Sequence, residues 1–371
     1  MQLNEVLKRI PHYLDAGVTV EVTGQSGIGK SEGIMQLKQT LEKRDGHEWG
    51  VSTQFPIFYN PSDIAGYLGL GEQMIVNEKQ EEVLAQVSIF SQPPWMVADC
   101  GRQLNSFRRG FVLFEEHDKA QPDVKKGLAP VILYKRIQRW ALHAGIGVIL
   151  LSNDASSSRQ GSTKDFDFEI NRKVILKATT SVRGWMDWAD VNDVDPLFKA
   201  FAEQHVETVF GGKVPEKQGP FCTARSLVRF SRVAKYMMDA DGHVVDREGF
   251  AEGAAGAMGA VAARDLMTFI DTREEVPNWA DIVKNPGKAK LSASASAQML
   301  AAHICAANVD GKTMGAAIEY VNRLRPEFYI VFARSATAGD RFDLVNHDAF
   351  AQWTDDKPQL IALMNAVGGV A

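Results

Sequence analysis

Short, nearly continuous apolar runs punctuate the first half of the chain, at residues 18–23, 55–59, 111–114, 147–152 and 173–177. Runs of this length, rich in Val, Ile, Leu or Phe and lacking strict alternation, predict strands buried on both faces of a parallel sheet. Helical periodicity lies between several of them, most clearly after residue 30, where Ile34, Leu37 and Leu41 recur on one face. Alternation of the two patterns predicts an open α/β sheet of five parallel strands with helices on both faces.

Beyond residue 178 the strand pattern stops. Val182, Trp185, Met186 and Ala189 fall on one helical face; Leu197, Ala200 and Phe201 open a second helix, and Leu227, Phe230 and Ala234 mark a third. Gly253, Gly256 and Gly259 stand among alanines, a composition that suits either a tightly packed helix or a loop. The Ser/Ala run at 292–297 has linker composition, and apolar periodicity over 299–367 predicts a final helical region. At 371 residues the chain is long enough for two or three domains. The pattern divides it into an α/β domain over 1–178, a helical lid over 179–290 and a helical C-terminal extension over 291–371. No internal repeat is visible.

The first apolar run leads directly into Gly24-Gln25-Ser26-Gly27-Ile28-Gly29-Lys30-Ser31. This is the spacing of a phosphate-binding loop, and the strand before it and helix after it are the context the motif requires. Glycines allow backbone N–H groups to wrap phosphate oxygens, and the following helix adds its positive end. Lys30 would supply charge to the β and γ phosphates and Ser31 a hydroxyl to magnesium. The chain is therefore expected to bind ATP with Mg2+. Gly311-Lys312-Thr313 lacks the first loop glycine and a preceding strand, and reads as a turn.

The third run ends in two acids, Phe111-Val112-Leu113-Phe114-Glu115-Glu116. Behind a phosphate loop this suits one acid, Glu115, on the magnesium shell and the next, Glu116, on the attacking water. The fourth run delivers an amide, Asn153, at its carboxyl end. That amide would orient the water or simply start a turn.

Composition narrows the choices. A net charge of −5 excludes a generally basic nucleic-acid coat. The three cysteines, Cys100, Cys222 and Cys305, fit no zinc or redox spacing and read as buried thiols of a reducing cytoplasm. Residues 1–13 show no signal-peptide core. No run approaches the roughly 18 apolar residues of a membrane span. One local exception to the acidic balance is the segment 119–140. It carries Lys119, Lys125, Lys126, Lys135, Arg136 and Arg139 against the single acid Asp123, with Tyr134 and Trp140 interleaved. It reads as a solvated helix face plus hairpin, as a grip on an acidic protein client, or as a track for nucleic acid with aromatic stacking.

Together these segments resemble the AAA+ ATPases, and within them the MoxR branch. The resemblance spans most of the chain. It includes the phosphate loop, Asn60-Pro61-Ser62-Asp63-Ile64-Ala65-Gly66-Tyr67, and the run from Glu115 to Val124, similar to the family's DE-x-x-[RK]-A-x-P-x-V. It continues through Asn153, Glu169-Ile170-Asn171-Arg172 and Trp185-Met186-Asp187-Trp188-Ala189. The resemblance implies that Glu116 is the catalytic carboxylate and Asn153 is sensor 1. It implies that Arg172 is an arginine finger reaching a neighbour's γ-phosphate and that Arg225 is sensor 2 from the lid. Arg172 as a surface residue and Arg225 as an ion-pair partner are the plainer readings. The family implies a homo-oligomeric ring, often a hexamer, that remodels a protein client beside a von Willebrand A-type partner. Glu115 departs from the family's usual Asp by one methylene, roughly 1.5 Å, which keeps a slow nucleotide switch in view. The polar segment 154–168 reads as a mobile loop.

Overall fold

Alternate residues of the central strands enter two separate cores, as strands buried on both faces must. The computed structural model describes residues 1–154, 166–212, 215, 218–358 and 360, and everything below concerns these. The chain divides into two units, Met1–Thr180 and Ser181–Ala371. The first contains nine strands: β1 (Val20–Gly24), β2 (Trp49–Gln54), β3 (Leu68–Val76), β4 (Glu82–Phe90), β5 (Arg109–Phe114), β6 (Arg136–Ile137), β7 (Trp140–Ala141), β8 (Ile146–Asn153) and β9 (Val174–Lys177). Its helices are α1 (Leu3–Asp15), α2 (Lys30–Asp45), α3 (Pro61–Ala65), α4 (Pro122–Tyr134) and α5 (Asp167–Ile170).

Five strands form one sheet in the order β2-β5-β8-β1-β9, every neighbouring pair parallel. Phe111, Leu113, Ile149 and Leu151 face a core shared with Val6, Ile10 and Leu14 of α1 and Ile34 and Leu41 of α2. Val112, Phe114, Val148 and Leu150 face the opposite core, closed by Val124, Leu128 and Val131 of α4. The five-stranded parallel sheet with helices on both faces is thus the fold that the apolar runs predict. β1 lies between β8 and β9, while the chain leaving it through α2 goes to the far edge at β2. Such a switch point opens a crevice at the carboxyl ends of the strands.

Several expectations are corrected. Residues 55–59 are not a strand. The second strand is Trp49–Gln54, and Pro56–Phe58 form a 3-10 turn with Phe55 and Phe58 exposed. Pro56 has no N–H for a ladder, whereas Trp49, Val51 and Ser52 are buried. The strand was hidden because Gly50 and Ser52 dilute its hydropathy. A side chain at Gly50 would meet the ring of Phe107, and one at Gly110 would come within 2.3 Å of the Gly50 carbonyl oxygen. Cys222 and Cys305 are buried, but Cys100 is exposed on the turn that Gly101 closes onto the Ala98 carbonyl. Two antiparallel hairpins, β3–β4 and β6–β7, decorate the sheet domain. α1 also escaped the periodicity reading.

The second unit is helical. α6 (Val182–Val191), α7 (Pro196–Gln204) and α9 (Ala224–Ala234) carry the three predicted faces, and the short α8 (Val206–Phe210) follows α7 without having been predicted. α10 (Arg247–Met258) and α11 (Ala260–Ile270) resolve the glycine–alanine stretch as two helices. Gly259 separates them at φ +82°, where a side chain would meet the Pro220 carbonyl oxygen at 2.5 Å. α12 (Trp279–Lys284) is followed by α13 (Ala295–Asn308), so the supposed linker is partly the first turn of a helix, capped by the Ser294 hydroxyl. One core runs from Met186 to Leu360, joining residues on both sides of position 290. Gly311-Lys312-Thr313 is a turn, closed by backbone N–H groups of Lys312 and Thr313 on the Asp310 carboxylate. Most of the polar segment after Asn153, and residues 361–367 of the last helical region, lie outside the described residues. No helix among the described residues is long and apolar enough to cross a membrane.

Candidate nucleotide site

β1 must end in glycine here. A Cβ on Gly24 would lie 2.5 Å from the Ala178 carbonyl oxygen just beyond β9. The chain then turns through Gly27 and Gly29, both left-handed, at φ +83° and +90°. Only glycine enters that region freely. Ser26, just before them, is exposed, while Ile28 between them packs against the core, so the loop is anchored at its centre and open on its first side. α2 starts at Lys30, and its N-terminal N–H groups belong to the same loop.

The carboxyl ends of three strands bring their polar residues to this loop. Lys30 is buried, and its Nζ donates to the carbonyl oxygens of Gly24 and Gln25 at 2.7 and 2.9 Å and to Asn153 Oδ1 at 3.1 Å. The Ser31 hydroxyl donates to Glu115 Oε2 at 2.9 Å. The extra methylene of Glu115 is therefore accommodated, with its carboxylate on the serine that follows the lysine. The backbone N–H of Asn153 donates to Asp118 Oδ1 at 3.0 Å, tying the turn after β5 to the end of β8.

Glu116 takes a different posture from Glu115. Its backbone is left-handed, φ +52° and ψ +38°, and its carboxylate leans out to Lys119 at 2.9 Å. A non-glycine residue held there costs on the order of 1–3 kcal/mol and persists only where its surroundings determine it. Arg172 lies on the turn after α5, half-buried, with its guanidinium 5.3 Å from the ring centroid of Phe168. Arg225 lies in the helical unit, exposed on the first turn of α9. The structure thus brings together Lys30, Ser31, Glu115 and Asn153, with Glu116 adjoining them in sequence.

The basic segment is not one patch. Lys125 is fully buried, Lys119 pairs with Glu116, and Lys126 pairs with Asp123 at 3.0 Å. Lys135 ends α4 in a left-handed conformation, and burial, with Arg109 nearby, holds its ammonium below the usual lysine range. Arg136 and Arg139 remain exposed on the β6–β7 hairpin, Arg139 against the Trp140 ring. Beside them Gly127, Pro130 and Tyr134 of α4 and Arg136, Ile137 and Gln138 line an open cleft of about 520 Å³.

Sequence reasoning missed a second set of polar groups: Glu21, His117, Asp118, Ser152, Glu169 and Lys173, all buried in the sheet domain. One of them left a signal. Glu21 is a lone charge inside the apolar run Val20-Glu21-Val22, where a buried strand tolerates a carboxylate only with partners.

Comparison with protein-family models matches none. No curated protein matches the chain. Among solved structures, the chain resembles a candidate ATPase from Cytophaga hutchinsonii at 15% identity and TM-score 0.33, over 73% of this chain and 89% of the other. It resembles a point mutant of RuvB from Thermotoga maritima at 13% identity and TM-score 0.39, over 78% and 77%. It resembles NtrX from Brucella abortus at 12% identity and TM-score 0.32, over 96% and 67%. Similarities this distant leave the residue chemistry as the ground for a functional reading.

Proposed function

We propose that this chain is an AAA+-type ATPase of the MoxR-like kind. In this reading it binds ATP with magnesium in the loop after β1 and hydrolyses it within a homo-oligomeric ring, in a reducing cytoplasm. The observation that carries the reading is the convergence of Lys30, Asn153, Ser31 and Glu115 at the carboxyl ends of β1, β5 and β8. A hydroxyl beside a carboxylate is a hard oxygen set that suits magnesium. Magnesium would supply neutralisation of phosphate charge. Lys30 would exchange its loop carbonyls for the phosphates, Asn153 and Glu116 would orient and polarise water, and Glu115 with Ser31 would hold the metal shell. Arg172 serves the neighbouring subunit and Arg225 the lid side of the nucleotide. The limits proposed for this machine are 1–178, 179–290 and 291–371, the last two sharing the single core that spans position 290.

Nucleotide binding is tested most directly at Lys30. Lys30→Ala should abolish ATP binding measured by calorimetry, because the only ammonium in the convergent set is removed. Undiminished affinity in a folded variant would sink the assignment. Comparing turnover with nucleotide affinity in the unmodified protein separates a motor from a slow nucleotide switch.

The work done with ATP is proposed to be remodelling of a protein client, alongside a von Willebrand A-type partner and in a hexameric ring, as the MoxR-like run from Glu115 to Val124 suggests. Arg136 and Arg139, exposed beside Trp140 and Tyr134, favour the β6–β7 hairpin as the engaging element and keep nucleic acid as a second reading. Arg136→Ala with Arg139→Ala should spare basal ATPase and reduce the client co-purified with ATP-held Glu116→Gln protein. If salt-sensitive single-stranded DNA binding disappears instead, nucleic acid is the partner. Full retention of both engagements counts against the hairpin.

A further inference from the structure

Beneath the loop, four chain segments meet at a buried polar cluster. The Ser152 hydroxyl on β8 donates to Glu21 Oε1 on β1. Lys173 Nζ lies 2.8 Å from Glu21 Oε2 and 3.4 Å from Glu169 Oε1. His117 Nε2 lies 2.9 Å from Glu169 Oε1, and its Nδ1 lies 3.9 Å from Glu21 Oε1. Glu21, His117, Ser152 and Glu169 are each no more than 3% exposed, and Lys173 is 8% exposed. As a source of stability such a cluster is poor, since apolar side chains of equal volume usually do as well.

Its members adjoin the proposed site residues in sequence. His117 follows Glu116, Ser152 precedes Asn153, and Lys173 follows Arg172. Glu169 also holds the Arg172 turn through its carbonyl, which accepts the Arg172 N–H at 3.0 Å. We infer that the His117–Glu169 contact, framed by Glu21 and Lys173, is a positioning relay that sets Glu116 and Arg172 in mutual register. A subunit's own hydrolytic carboxylate and the arginine it offers to its neighbour then move together. The left-handed Glu116 needs a fixed neighbour to stay in place, and the imidazole of His117 supplies it from inside the domain. The Arg172 turn is anchored into the same cluster on both sides, through Glu169 and Lys173. His117 and Glu169 act here as positioning residues. The inference rests on the proposed composite site, in which Arg172 acts in trans.

The test uses mixed assemblies of two subunits that are each inactive alone. Glu116→Gln subunits donate an arginine, and Arg172→Ala subunits receive it beside their own Glu116. Activity recovered by mixing establishes the composite site. His117→Gln is then added only to the arginine donor, whose own site is already dead. Glu169→Gln is added, in a separate mixture, only to the recipient, which has no arginine to position. A relay predicts that each change lowers the recovered rate by about tenfold or more, since a displacement near 1 Å can cost roughly a hundredfold. ATP affinity and assembly should stay unchanged. The cross-effect is what a local structural role would not produce. If the parent mixture recovers activity and either cross-effect is absent, the relay is wrong and the composite site stands. If the parent mixture recovers none in assemblies shown to be mixed, the composite site fails and the relay with it. Should a Gln variant fail to fold, His117→Asn or Glu169→Asp breaks the 2.9 Å contact by shortening one arm, and the same cross-effects decide.

Discussion

Glu116→Gln protein is expected to bind ATP as tightly as the unmodified chain and to hydrolyse it at least about a hundredfold more slowly, the usual contribution of a positioned base. The amide keeps the length and shape of the side chain and loses the ability to accept a proton from the attacking water. Folding should survive the change. The pair that Glu116 makes with Lys119 is partly exposed, and pairs of that kind contribute roughly 0–1 kcal/mol. Glu115→Gln should behave differently. Its carboxylate accepts from Ser31 at 2.9 Å, so the loss should appear first as a raised magnesium requirement. Single-turnover hydrolysis measured across a magnesium titration distinguishes the two. A dead Glu115→Gln beside a fully active Glu116→Gln would show that the roles of the acids are exchanged.

Arg172→Ala should retain nucleotide binding and lose about a thousandfold or more in hydrolysis, the range known for arginine fingers. The chemistry asks for a cation where γ-phosphate charge develops, beyond what one phosphate loop provides. Arg172 is half-buried, its nearest aromatic partner is Phe168, and an exposed cation–π contact contributes only about 0.5–1 kcal/mol. The variant is therefore expected to stay folded, and a thermal melt checks this. Specific activity of the unmodified protein should rise with concentration until assembly is complete. Arg172→Ala mixed with Glu116→Gln should recover activity at interfaces that pair an intact Glu116 with an intact Arg172. Full activity in a dilute monomer, with no recovery in mixed assemblies, would exclude a shared site.

The distribution of legible and illegible features follows the range of the interactions. Gly24, Gly27, Gly29, Lys30 and Ser31 are consecutive or nearly so, and their conformational demands are local, so the loop could be read without a fold. The strands at 111–114 and 147–152 were legible because burial on both faces leaves an unbroken apolar run. β2 was not, because Gly50 is required by the approach of Phe107 and the neighbouring strand, and that requirement comes from residues more than fifty positions away. The β3–β4 hairpin was missed for the opposite reason. Most of its residues face solvent on at least one side, so burial imposed no continuous pattern on them.

The sequence by itself determined the glycine-rich loop after β1, the apolar ladder of the parallel sheet and the helical character of the second half. These rest on backbone conformation and on periodicities that extend over a few residues. Only the tertiary structure decided that Lys30 meets Asn153, that Ser31 meets Glu115, and that six basic residues between 119 and 140 are divided into buried, paired and exposed ones. Only the tertiary structure assembled Glu21, His117, Ser152, Glu169 and Lys173 into one buried cluster. Such groups have no periodicity to announce them. Their partners are chosen by the sheet order, which places β1 between β8 and β9, and a carboxylate so buried is tolerable only once those distant partners have arrived.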